Sequence, residues 1–292
     1  MGCCASQNAD SKAARLARWR STGIVALRDS KLKASKLNNS PLHFLPSLSF
    51  LDETETVNHH CRFLTVPDEV LDLERSVRTL DLTHNRLVDI PTEISKLINM
   101  QRLVLAHNVI ERLPSNLGKL QYLKVMTLDG NKITSLPDEL GQLVRLEKLS
   151  ISGNMLADLP ETIGSLRNLS LLNVSNNKLK SLPPSIGSCF SLEEVQADDN
   201  QIENLPDSVC NLIHLKSLSL DRNNVSQIPS NLLKDCKALQ NISLHENPIS
   251  MDQFQQMEGF LEFEGRRKRK FDKQIDANVM ISSKGLDEGV DL

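Results

Sequence analysis

Apolar and polar positions alternate along this chain in a short motif that returns at a fixed interval. Leu80-x-Leu82, Leu103-x-Leu105, Leu149-x-Ile151 and Leu218-x-Leu220 each set two apolar side chains two residues apart. That is the period of a strand with one buried face. An Asn follows each pair: Asn85, Asn108, Asn131, Asn154, Asn177, Asn200 and Asn223 stand 23 residues apart, and Asn247 comes after 24. The pattern then runs x-(I/L/V)-x-x-(L/I)-Pro, with prolines at 91, 114, 137, 160, 183, 206 and 229. An apolar Ile, Leu or Val, often followed by a Gly, and another Leu complete it, as in Pro160-Glu161-Thr162-Ile163-Gly164-Ser165-Leu166. Eight copies of so long a pattern exclude chance.

Each part has a physical reason. The paired apolar residues predict a short strand with its Leu side chains inward. The Asn sits where the chain turns, and its amide can bond the backbone of its own and the adjacent coil. Stacked copies predict an Asn ladder that satisfies turn amides costly to bury unpaired. The Pro ends helix and strand alike and sends the chain back along the far side. No single coil can bury its Leu set, so coils must stack into a solenoid. The predicted class is α/β: a horseshoe with short parallel strands on the concave face and a helical C-terminal cap. A Leu-rich helical protein is excluded by a Pro every 23 residues.

Composition agrees. Of 292 residues, 48 are Leu and only 3% aromatic, which suits a repeat better than a globule. The net charge of −3 argues against a nucleic-acid binder. No stretch reaches the roughly 20 apolar residues of a membrane span, and the N-terminus lacks a secretory signal, so a reducing cytosolic setting is expected. Six cysteines without a C-x-x-C pair read as reduced thiols.

These copies resemble leucine-rich repeats. The 23-residue form with its L-P-x-x-(I/L)-G-x-L return is similar to the intracellular Ras-group class and its plant members, over residues 63–250. That resemblance implies the horseshoe fold and a small GTPase, a kinase or a phosphatase as partner. Upstream, the Thr22–Leu32 segment reads as a first strand and turn, with Ser30 in place of the Asn. With its flanking Thr22-Gly23 it resembles the start of the family of leucine-rich repeat-containing protein 57. The expected organisation is a tail at 1–21, a capping coil at 22–62 with an insertion at 33–60, repeats at 63–250, a helical cap at 251–275 and a disordered tail at 276–292.

The first residues carry their own chemistry. Met1-Gly2-Cys3-Cys4-Ala5-Ser6 fits the pattern for myristoylation of Gly2. One acyl chain holds a membrane only marginally, so a second signal is needed. Palmitoylation of Cys3 and Cys4 would provide it. Lys12, Arg15, Arg18 and Arg20 would add attraction to anionic lipid, with Trp19 at headgroup level. A second basic run, Arg266 to Lys270, reads as a solvated face of the C-terminal cap; lipid contact and nuclear import are the alternatives.

Residues flanking the strand Leu positions should face out of the sheet. As partner contacts they give Asp81, Arg102, Asp129, Lys148, Asn173, Glu194, Asp198, Asp199, Asp221 and Arg222, with carboxylates concentrated at the last repeats. A partner presenting Lys or Arg is expected there; contact along an edge is the competing reading. No nucleotide, hydrolase, zinc-protease or kinase motif occurs. His59, His60 and Cys61 lack a fourth metal ligand at sensible spacing. No cofactor, metal or nucleic acid is expected. The reading is a monomeric, non-catalytic adaptor on the cytoplasmic face of a membrane, binding a protein on its concave face. The alternative is a soluble or nuclear protein-binding module with the acylation motif unused.

Overall fold

The L-x-L segments form strands of three residues, too short to stand alone, and each is held by the copies beside it. The computed structural model describes residues 12–28 and 64–276. Within them, one parallel sheet runs in chain order: β1 (Ile24–Ala26), β2 (Thr79–Asp81), β3 (Arg102–Val104), β4 (Val125–Thr127), β5 (Lys148–Ser150), β6 (Leu171–Asn173), β7 (Glu194–Gln196), β8 (Ser217–Ser219) and β9 (Asn241–Ser243). From β2 onward the register pairs equivalent residues of successive repeats, Thr79 with Arg102 and Arg102 with Val125. Leu80, Leu103, Met126, Leu149 and Leu172 therefore stack in one fully buried row.

The far side is built from 3-10 turns rather than long helices. Thr92–Lys96, Ser115–Lys119, Asp138–Gln142, Glu161–Ser165, Pro184–Ser188 and Asp207–Asn211 each follow the repeat Pro. Pro137, with φ −71° and ψ 145°, is extended, and its carbonyl accepts the Leu140 amide at 3.0 Å. The Pro thus starts the turn as well as ending the preceding segment. The next residue explains the Gly: a Cβ on Gly164 would lie 2.5 Å from the Ser185 carbonyl of the following coil. Coils approach this closely only without a side chain there.

Both open ends are covered. Helix α1 (Lys12–Thr22) lies over the first coil with Trp19 only 4% exposed and Leu16 packed behind it. Gly23, at φ +69°, ends the helix by donating its amide to the Trp19 carbonyl at 2.8 Å. Two expectations are corrected here. Residues 12–21 are helix on the core instead of membrane tail, and Trp19 is buried, because an uncovered terminal coil would expose its apolar row. Arg15 and Lys12 are engaged as well. Both pair with Glu69 of α2 (Asp68–Leu71), and the Arg15 guanidinium lies 5.2 Å from the Trp19 ring centre. Arg18 and Arg20 are exposed. Gly2, Cys3, Cys4, most of the insertion's flanks and the 33–60 segment lie outside the described residues.

At the other end, α3 (Leu232–Asp235) replaces a 3-10 turn. Helix α4 (Met251–Gln255) starts at a Ser250–Gln253 capping box, and α5 (Phe260–Asp276) closes the array. Phe254 is buried and meets Phe260 and Phe263 edge-on, at 5.7 and 6.1 Å. The basic run is partly structural. Arg266 donates to the carbonyls of Leu239 and Leu233, and Lys270 to Asn241 Oδ1 at 2.7 Å. Burial holds the Arg266 pKa below its ordinary value.

Candidate functional site

The sheet face is positioned by the asparagines at its rim. Asn154 is typical: its Nδ2 lies 3.0 Å from the Leu128 carbonyl of the preceding coil and 3.1 Å from its own Ile151 carbonyl. Its Oδ1 accepts the Ile133 amide at 3.0 Å. Asn85, Asn108, Asn131, Asn177, Asn200, Asn223 and Asn247 make the corresponding bonds to their own and the preceding coil. From Leu82 to Leu220 each strand-end carbonyl serves two asparagines, as Leu128 does for Asn131 and Asn154. Just before the ladder the chain enters the left-handed region at His84, His107, Asn176, Asp199, Arg222 and Glu246, with φ between 53° and 56°. Gly130 and Gly153 fill the same row. His84 and His107 stack there with ring centres 4.5 Å apart.

A second cross-coil device uses aspartate. Asp129 accepts the Ser150 hydroxyl at 2.7 Å and the Ser152 amide at 2.8 Å. Asp198 does the same with Ser219 and the Asp221 amide, and Asp221 with Ser243 and the His245 amide. The same repeat position thus staples three coils to the next, at Asp129, Asp198 and Asp221. In the sequence alone these residues read as contacts for a partner. The signal for the staple was a Ser 21 residues after Asp129, and again after Asp198.

The remaining expected contacts divide into free and committed groups. Asp81 is corrected: it is 4% exposed, bound by Arg28 and by the Thr83 hydroxyl at 2.7 Å. Burial works to raise its pKa, but the bonds from Arg28 and Thr83 outweigh this and hold the carboxyl below its usual value. Asp199 and Arg222 form an ion pair with each other. Hydrogen bonding to Arg222 lowers the Asp199 pKa, and the same bond raises that of Arg222. Asn173 accepts the Ser175 amide at 3.0 Å, and Glu194 bonds Gln196. Arg102 and Lys148 stand exposed on the sheet. The carboxylate cluster is therefore largely engaged within the protein, while the cations of the first half are presented outward. Where the turns lead into the strands, Ile98, Val144, Phe190 and Ile213 share one repeat position and are exposed, with Gln121 and Arg167 at that position in the coils between and exposed Tyr122 one residue on.

Among the described residues, no group of three or more His, Cys, Asp or Glu is gathered as a metal site. No described helix is long and apolar enough to cross a membrane.

The stacked strands, 3-10 returns and Asn ladder define a leucine-rich repeat protein. Family patterns described as a leucine-rich repeat region and a leucine rich repeat match residues 115–200 and 76–97. Among solved structures, the fold is similar to the ectodomain of the Arabidopsis thaliana receptor kinase GASSHO1/SCHENGEN3. That match has a TM-score of 0.51 and 26% identity, over 63% of this chain and 28% of the receptor chain. Internalin C2 of Listeria monocytogenes matches at TM-score 0.56 and 24% identity, over 63% of this chain and 77% of its own, which shows the fold alone. Plant intracellular Ras-group-related LRR protein 7 of Oryza sativa subsp. japonica is 70% identical over 292 residues, 100% of both chains. The chain belongs to the plant intracellular Ras-group-related LRR family.

Proposed function

We propose that the chain is a non-catalytic adaptor that binds another protein on its sheet face while N-terminal acyl chains hold it on the cytoplasmic side of a membrane. The observation that carries this reading is the sheet itself: a row of polar side chains on a backbone fixed by two cross-coil hydrogen-bond systems. Such a surface loses little conformational entropy on docking. Arg102 and Lys148 stand exposed on the sheet and favour an acidic contact there, in place of the Lys or Arg expected opposite the carboxylates of the last repeats, which are largely engaged within the protein. The rice relative's name links it to the Ras group, and on that analogy we assign a small GTPase, a kinase or a phosphatase as the partner class. Gly2, Cys3 and Cys4 supply the anchor, with Arg18 and Arg20 on the exposed side of α1. The import reading of the run at 266–270 is weakened by the commitment of Arg266 and Lys270 to the last coil.

Proximity labelling in plant cells tests both halves. Wild type, Gly2→Ala and Arg102→Glu/Lys148→Glu would be compared, each tagged at the C-terminus. Gly2→Ala should lose membrane neighbours, and the double variant should keep them while losing its signalling partner. Identical neighbours for all three would refute the reading.

A further inference from the structure

Where α1 meets the first coils, a groove of about 450 Å³ opens on the edge of the solenoid. Its lining includes Arg20, Arg75, Arg78, Asn99, Gln101 and Tyr122, and no carboxylate among the described residues. Three guanidinium groups without an acid are a local exception in a chain of net charge −3. Arg15, Arg28 and Arg222 each take a carboxylate. Arg20, Arg75 and Arg78 take none among the described residues.

The walls are held in place by backbone bonds. Asn99 donates its side-chain amide to the Arg75 carbonyl at 2.8 Å. The Arg78 and Thr79 amides donate to the Gly23 carbonyl at 2.8 and 3.0 Å, and the Gln101 amide donates to the Arg78 carbonyl at 2.8 Å. A Cβ on Gly23 would lie 2.8 Å from the Ser76 carbonyl and 3.3 Å from Arg78 Cγ, so the helix end and the loop before β2 close together only with glycine there. At the rim the Arg145 guanidinium sits 4.6 Å from the centre of the Tyr122 ring, bringing a fourth cation near.

Guanidinium forks match phosphate oxygens in pairs and keep their charge at every physiological pH. The volume is that of a small-molecule site and admits a sugar-sized ring with several phosphates. Arg20 lies at the end of α1, a helix roughly 16 Å long. The other end of that helix leads toward Gly2, Cys3 and Cys4. We propose that this groove binds a compact polyphosphate: the phosphorylated inositol group of a membrane lipid or of its soluble counterpart.

The test uses the full chain made in bacteria, without acyl groups, so that failure of the acyl anchor and failure of this site are distinguishable. Calorimetry with inositol trisphosphate, and sedimentation with phosphatidylcholine vesicles with or without phosphatidylinositol bisphosphate, give the two arms. Binding to both probes identifies the headgroup as the whole ligand; binding only to the doped vesicles identifies the lipid as the source. Arg75→Gln/Arg78→Gln should weaken binding at least about tenfold. Arg86→Gln/Arg112→Gln, the same charge change elsewhere, should change it less than about twofold. Melting curves confirm that both variants fold, and Arg75→Lys/Arg78→Lys, which keeps charge but loses the fork, should fall between wild type and the Gln variant. Absence of binding to both probes, equal loss in the two Gln variants, or equal displacement by sulfate or a phosphothreonine peptide would overturn the proposal.

Discussion

Replacing Asn154 with leucine tests the ladder where its geometry is best defined. Asn154 is 8% exposed, and its two amide hydrogens are shared among the Leu128, Ile151 and Ser152 carbonyls at 3.0, 3.1 and 3.2 Å. All three carbonyls keep a second donor in the variant: Leu128 from Asn131, Ile151 from Asn177 and Ser152 from the Gly130 amide. The Ile133 amide keeps nothing, since the Asn154 Oδ1 is its acceptor. An orphaned buried N–H costs about 1–3 kcal/mol, and each weakened carbonyl about 0.5–1 kcal/mol, so the total is about 3 kcal/mol. Guanidinium unfolding followed by circular dichroism reads this directly. Asn247→Leu supplies the internal control, because that side chain is half-buried at the end of the ladder and solvent can replace part of what is lost. It should cost less than half as much. A loss below about 1 kcal/mol at Asn154, or equal losses at the two positions, would refute the argument that shared buried carbonyls govern the coil spacing.

Trp19→Ala should destabilise the N-terminal cap by about 3–5 kcal/mol. Wild-type Trp19 fluorescence should stay blue-shifted and unchanged when anionic vesicles are added, because the ring is inside the cap; a vesicle-dependent shift would restore the headgroup placement. The pair Arg28–Asp81 predicts a pH dependence. The folded Asp81 pKa lies below its unfolded value, so the pair contributes stability above the unfolded pKa of about 3.9 and loses it as pH falls through the folded value. Thermal melts of wild type and Arg28→Gln should therefore differ at neutral pH and converge in acid; a constant gap would contradict the pairing. Burial pushes the Cys189 thiol up to about 11 and the Cys236 thiol to about 12. Alkylation at neutral pH followed by peptide mapping should leave both unmodified until the protein is unfolded.

The repeat spacing made the solenoid legible because the Leu, Asn and Pro positions each answer a separate physical demand, and all three recur together. The sites were less legible. Asp198 and Asp221 look like surface charge in the sequence, since their Ser and amide partners lie one repeat away and only the stacking register brings them into bonding distance. Trp19 sits in a basic segment that reads as a membrane tail, while the open end it covers is a property of the assembled array. Arg75 and Arg78 lie in an unremarked Glu74-Arg75-Ser76-Val77-Arg78 stretch and gain their neighbours from α1 and from the coils that follow.

The left-handed row before the ladder has a consequence for heat resistance. A side chain in that conformation carries roughly 1–2 kcal/mol of steric strain that glycine escapes, and Gly130 and Gly153 already escape it. His107, Asp199, Arg222 and Glu246 do not. Glycine substitution there relieves the strain, although the added freedom of the unfolded chain takes back part of the gain. The same substitutions erase an imidazole at one end of that row and adjacent carboxylate and guanidinium groups at the other from the rim of the sheet. An engineer raising the melting temperature and an engineer altering recognition would therefore compete for the same residues, and each gain at one task would be a loss at the other.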